Sequence, residues 1–261
     1  MNLALWSAKT GLDAQNTQMA IISNNLANAN TTGFKSDRAA FQDLMYQNIR
    51  QVGAQSTTNT QYSTGLTLGT GVRIVATEKN YAQGSVTQTN GSLDLSVSGK
   101  GFFQITLPDG TLAYSRDGSL SLDSQGNVVT ASGYPLSPAI TIPQGTQTVT
   151  VGTDGVVTTV SAAGKTTQIG QVQLADFINE EGLQPTGNNL LIESASSGAP
   201  QISTPGTNGL GTVQQGTLET SNVNTVTELV NMIECQRAYE MNSKAITTTD
   251  QMLQYLTTNL Q

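Results

Sequence analysis

The chain has 261 residues, with 11 Lys plus Arg against 18 Asp plus Glu, a formal charge of −7, no histidine and one cysteine. Without His, and with a single Cys, imidazole zinc sites, Ser-His-Asp and Cys-His nucleophiles and intrachain disulfides are excluded. An acidic balance with no basic run argues against nucleic acid or anionic membrane as main partners.

With 38 Thr, 22 Ser, 20 Asn and 24 Gln, about two-fifths of the chain is uncharged and polar. That composition fits an extracytoplasmic structural protein better than a cytosolic enzyme. The amino terminus carries Lys9 and Asp13 among polar residues and lacks the apolar core and cleavage pattern of a secretory signal. No stretch approaches the roughly 20 apolar residues of a membrane span, so membrane insertion is not expected. The expectation is a cytosolic protein, or one exported by a route that reads no cleaved signal.

In chain order, residues 3–28 read as a helix, because Leu5, Leu12, Met19 and Leu26 recur every seventh position, with Ala8 and Ile22 at the intervening step. Asn28, Asn30 and Gly33 then supply the left-handed conformations that end a helix. From Gln47 to Thr70 the chain is polar, Gly-punctuated and weakly patterned, a length uncommon for a loop unless it is functional or disordered.

Residues 72–220 hold short alternating runs broken by turn residues, which predicts an all-β region. Asp109-Gly110 and Asp154-Gly155 are hairpin signals, Asp117-Gly118 and Gly126-Asn127 mark further reversals, and residues 194–212 read as a surface loop. A second helix is expected from Thr225 to Leu260, with Met232, Tyr239, Ile246, Leu253 and Leu260 at heptad spacing, Leu229, Cys235 and Leu256 beside them, and a Thr225/Glu228 capping box. The fold class is therefore mixed: a discontinuous terminal domain of paired coiled-coil helices (1–30 and 222–261), an extended connecting segment (31–75) and a central all-β domain (76–221).

Energetics set the expectation of assembly. Burying the four large residues of the first stripe contributes on the order of 10 kcal/mol, whereas ordering about 25 residues costs roughly 25 to 50 kcal/mol before helix hydrogen bonds offset it. Pairing the two helices recovers part of the difference and leaves long polar faces wet. Leu5, Leu12, Met19, Ile22 and Leu26 are expected to dock on Met232, Tyr239, Ile246, Leu253 and Leu256 of the same chain, and equivalent pairs of neighbouring copies to supply the rest. The plain alternative is an intramolecular helical hairpin that closes the domain.

Other candidates have simpler readings. Gly99-Lys100-Gly101 lacks the surroundings of a phosphate loop and reads as a tight turn. Asp109, Asp117, Asp123, Asp154 and Glu180-Glu181 sit beside turn residues, which explains them better than calcium binding or acid/base catalysis. Cys235 falls at helical spacing as a small apolar residue. No catalytic, cofactor or metal site is expected.

The run SNNLANANTTGFK, carrying Asn24, Asn25, Asn28, Gly33, Phe34 and Lys35, resembles the amino-terminal signature of the bacterial flagellar rod and hook proteins. LWSAKTGLDAQNTQMAIISNNLAN, GKGFFQI, AYSRDGSLSLDSQGNVVTASGYPL and the carboxy-terminal stretch from GTLETSNVN onward resemble that family in the same order. YQNIRQVGAQSTTNTQYSTGLTLGTGVRIVATEK, which includes Gln47, Arg50, Gln55, Tyr62, Leu66 and Leu68, resembles the extended segment of its distal-rod members. Proximal rod and hook members are the alternatives.

The resemblance implies a helical homopolymer that encloses an export channel, with paired terminal helices inside and the β domain outside. It also implies proximal rod, hook, ring and export-apparatus proteins as partners and a basal-body location. A different class, a secreted β-rich adhesin or glycan-binding protein, fits the composition but gives no reason for heptads at both ends.

Overall fold

The computed structural model describes residues 3–53, 55–57, 60–61, 63–162 and 164–259, and the chain falls into two compact units. Unit 1 comprises residues 1–26, 37–78 and 225–261, and unit 2 comprises residues 27–36 and 79–224.

Unit 1 contains both long helices, α1 (Leu3–Ala27) and α2 (Thr225–Asn259). Three contacts fix their direction. Asn25 meets Glu228, Gln15 meets Cys235, and Gly11 faces Asn242, so ascending positions on α1 meet descending positions on α2 and the pair is antiparallel. On α2 the seam is a heptad, Glu228, Cys235 and Asn242 alternating with Met232, Tyr239 and Ile246. On this register the last residues of α2 extend past the start of α1.

Between the helices, the polar stretch that the sequence leaves weakly patterned forms a long β-hairpin. Asp37–Asp43 pairs with Val72–Lys79, Gln47–Arg50 with Leu66–Leu68, and Gln55–Thr57 with Thr60–Gln61. The Arg38–Glu78 and Arg73–Gln42 hydrogen bonds show that the first pair is also antiparallel. Thr, Gln and Asn ladders suit a strand that has water on both faces, which is why no apolar alternation announces it. The base is fixed to α1, where Thr10 Oγ1 accepts from Val72 N at 3.4 Å.

Unit 2 is built around a seven-stranded sheet whose central strand, Phe102–Thr106, pairs with Leu112–Ser115, Leu174–Asp176 and Leu136–Ser137. Successive side chains of a strand point to opposite faces. Phe103 accordingly enters one core cluster with Val97, Leu136 and Leu174, while Phe102 enters another with Tyr114, Phe177 and Leu183. Both phenylalanines are fully buried because both faces are covered. The second cluster is an edge-to-face stack, Tyr114 on Phe177 at 4.8 Å and Phe177 on Phe102 at 6.2 Å.

Thr146–Val151, Val156–Ser161 and Thr166–Gln171 form a three-stranded meander. The Asp109-Gly110, Gly126-Asn127 and Asp154-Gly155 signals each lie between paired antiparallel strands. Asp117-Gly118 lies between Leu112–Ser115 and Leu120–Leu122, which belong to different sheets. One expectation changes. The segment 194–212 is not all loop, because Gln201–Ser203 adds to the edge of the large sheet beside Leu174–Asp176.

Candidate functional site: the signature turn and the helix pair

In unit 1 the signature contributes one fully buried polar side chain, Asn25. Its Oδ1 accepts from Asp37 N at 2.9 Å, and its Nδ2 donates to Asp37 O at 2.8 Å and to Glu228 Oε1 at 3.3 Å. One carboxamide thereby binds the end of α1 to the first residue of the hairpin and to the first turn of α2. An amide is suited to this because it carries donor and acceptor on one planar group. Asn24, one residue earlier, is exposed.

The stripe residues take graded positions. Ile22 is buried, and Leu5, Leu12, Met19 and Leu26 are half-buried. Gly11, Gln15 and Asn25 of α1 meet α2 through polar contacts, and Ile22 lies on the same face of the helix. On α2, Met232 and Ile246 are half-buried and Tyr239 and Leu253 are exposed. Cys235 is buried, its Sγ 3.2 Å from Gln15 O, and burial pushes its thiol pKa up.

The outer surface of α2 carries Val226, Val230, Ile233, Met241, Met252 and Tyr255, with Met241 67% and Tyr255 72% exposed. On the hairpin, Gln47, Leu66 and Leu68 are exposed and Arg50 is half-buried, beside Met45, Tyr46, Ile49 and Val52. Tyr62 lies outside the described residues, as do the side chains of Gln55 and Leu256.

In unit 2 the rest of the signature forms a turn held by residues far along the chain. Asn28 O accepts from Thr31 N at 3.2 Å, and Gly33 adopts a φ of +66°, with its N donating to Glu219 O at 2.8 Å. A Cβ on Gly33 would stand 2.7 Å from the Arg116–Asp117 backbone, so glycine is needed for space as well as for φ. Phe34 lies under Lys79, whose Nζ is 5.6 Å from the ring centre.

Lys35 is buried and donates to Glu219 Oε1 at 2.7 Å and to Ala82 O at 2.9 Å. Glu219 Oε1 also accepts from Gly84 N, and its Oε2 lies 3.5 Å from Arg116 Nη1. Asn222 completes the junction: its Oδ1 accepts from Ser36 N at 2.8 Å and its Nδ2 donates to Asn80 O at 2.7 Å. Three segments, residues 33–36, 80–84 and 219–222, are thus tied at one point. Burial pushes the Lys35 and Arg116 pKa values down, against the opposing pull of the Glu219 charge.

Glu219, Asn222 and Arg116 are the members that sequence reasoning does not single out, since none stands in a spacing that announces a pair 184 residues away. Their interactions in this structure are fixed hydrogen bonds and ion pairs. No group of three or more His, Cys, Asp or Glu that could hold a metal occurs among the described residues, and no described helix is long and apolar enough to cross a membrane.

Three family models match the chain: flagella basal body rod protein over residues 5–35, flagellar hook protein FlgE/F/G D1 domain over 96–159, and flagellar basal body rod FlgEFG protein C-terminal over 214–260. The chain is 54% identical to the flagellar basal-body rod protein FlgG of Buchnera aphidicola subsp. Schizaphis graminum, covering 97% of this chain and 98% of that protein. It is 45% identical to FlgG of Caulobacter vibrioides, over 96% and 97% of the two chains. The FlgG of Bacillus subtilis is 39% identical, over 97% of each.

Proposed function

The chain belongs to the flagellar basal-body rod proteins and is a structural component of that rod, and on this premise we propose that its copies form the distal rod, a stiff helical tube that transmits torque and encloses an export channel. The helices of segments 1–30 and 222–261 are the polymerising part, residues 31–75 the rod-specific part, and residues 76–221 a β domain carried by the polymer. Proximal rod, hook and surrounding ring proteins are its neighbours.

The observation that carries this reading is the apolar surface left on α2 and on the hairpin. Val226, Val230, Ile233 and Met241 recur near helical spacing away from the α1 contacts, and Met45 is 88% exposed. A monomer rarely keeps so many large apolar side chains in water on adjacent elements. Identical copies meeting head to tail cover such faces and generate a filament when the rotation does not close. The half-buried Leu5, Leu12, Met19 and Leu26 contribute to packing of the helix pair among its neighbours, and the 47–68 hairpin supplies stiffness by reaching adjacent copies.

Two variants test it. Leu12→Asp should abolish incorporation into polymer while unit 2 stays folded by circular dichroism, and normal incorporation would contradict the helical docking. Deletion of residues 47–68 should give a polymer that bends. A shaft as straight and stiff as the parent would remove the hairpin from the reading.

A further inference from the structure

Burial directs oxidation of this chain to methionine. The single cysteine, Cys235, is buried against Gln15 of α1, so its thiol is shut away from reagents in water. Of the six methionines, Met45, Met241 and Met252 are exposed and Met19 and Met232 are half-buried, while Met1 lies outside the described residues.

Two of the exposed three stand in line. Val230, Met241 and Met252 follow one another at eleven-residue intervals, close to three turns of helix, and Ile233 and Tyr255 run beside them. All five are exposed, whereas Cys235 and Asn242, which meet α1, are buried and half-buried. The line therefore belongs to the apolar face of α2 that α1 leaves uncovered. A thioether suits such a face, because it is apolar and adapts to an irregular neighbour. It is also the group on that line that a hydroperoxide converts directly into a polar one.

We infer that Met241 and Met252 are an oxidation-sensitive control on assembly: as thioethers they let the outer face of α2 pack against a second copy, and as sulfoxides they prevent it. The inference rests on the polymer reading above and adds to it a modification site. The oxidant is a hydroperoxide. Its O–O bond breaks, one oxygen forms an S–O bond with the thioether sulfur, the sulfur gives up two electrons, and the remainder leaves as water or an alcohol. The new sulfoxide oxygen needs a hydrogen-bond donor that the aliphatic side chains of Val230 and Ile233 cannot supply, so burying it among them is unfavourable. Methionine sulfoxide reductase reverses the change. The free chain is the sensitive form, and the polymer shields both sulfurs.

The test treats the full-length monomer with hydrogen peroxide at a dose that leaves Met19 and Met232 unmodified in peptide mass spectra. Sulfoxide is expected at Met241 and Met252, with circular dichroism unchanged and the critical concentration for assembly raised by about tenfold or more. Methionine sulfoxide reductase should restore assembly, and the Met241→Leu/Met252→Leu chain should assemble equally well before and after peroxide. Peroxide applied to finished polymer should leave both sulfurs unoxidised. An oxidised parent that assembles at the parent's concentration, or a double variant that loses assembly on oxidation as the parent does, overturns the methionine assignment and leaves the polymer reading standing. An untreated parent that forms no polymer overturns both.

Discussion

Lys35 Nζ lies 2.7 Å from Glu219 Oε1, both side chains are sealed from water, and 184 residues of chain separate them. Lys35 ends the signature that follows α1, and Glu219 precedes α2, so this ion pair joins the two segments through which the helices enter unit 2. A buried pair of this kind sets geometry more than it adds stability, because desolvation offsets much of the attraction.

Removing one partner is a different matter. Glu219→Ala leaves the buried Lys35 with only the Ala82 carbonyl, removes the carboxylate beside Arg116 and takes the acceptor from Gly84 N. The expected loss is about 3–5 kcal/mol in the urea unfolding of unit 2. A loss under about 1 kcal/mol would mean that the cations escape to water and that the pair does not organise the junction.

Gly33→Ala and Gly33→Asn separate two reasons for the glycine. If only the positive φ mattered, Asn would be tolerated better than Ala, as it is at ordinary left-handed positions. Both bring a Cβ against the Arg116–Asp117 backbone, so both should destabilise alike and by more than the roughly 1–2 kcal/mol of the φ preference. Melting temperatures of the two variants decide it.

Asn25→Ala removes three hydrogen bonds at the start of the hairpin and is expected to cost about 2–3 kcal/mol, read as lost amide-exchange protection in α1 and at Asp37. Asn25→Asp should be worse. It keeps an acceptor for Asp37 N but sets a second oxygen against Asp37 O and Glu228 Oε1, both of which need a donor.

Glu180 gives a pH dependence of known sign. Burial raises its pKa above the ordinary glutamate range, with Lys100, 3.9 Å away, opposing the shift. The folded chain then holds the proton more tightly than the unfolded chain. The group's contribution is present below the unfolded pKa and is lost as pH rises through the folded one. Glu180→Gln should therefore raise the melting temperature at pH 7, and the gain should vanish below about pH 4. A variant less stable than the parent at pH 7 would show that the Lys100 contact outweighs burial.

Periodicity revealed both terminal helices, because a heptad of large apolar residues recurs over four or more turns at each end, and α1 and α2 have nearly the expected bounds. The β character of the middle was legible from Asp-Gly and Gly-Asn turns, which need conformations that few residues tolerate. Within the hairpin, Val72–Lys79 fell inside the expected β region, but the strands over residues 37–68 were not legible, since largely exposed strands have little reason to alternate apolar with polar side chains. Gln201–Ser203 was hidden for a related reason: an edge strand inside a Ser, Gly and Pro run carries only three residues of pattern.

The seam between the helices shows the same limit at finer grain. Counting sevens singled out Leu5, Leu12, Met19 and Leu26, while the polar contacts to α2 made by Gly11, Gln15 and Asn25 stand in no apolar spacing. Polar contacts within a helix seam leave no hydrophobic period to count.

What the sequence determined by itself was everything local: helix and turn positions, the exclusion of imidazole and disulfide chemistry, and the order of motifs that places the chain among rod and hook proteins. Local preferences are properties of neighbouring residues, so they can be read in order. Only the tertiary structure decided which of 18 acids meets Lys35, which side of α1 faces α2, and that Arg116 is buried beside the same Glu219. Those depend on the path of the chain between distant segments, which is set by packing of the whole core and leaves no spacing to count.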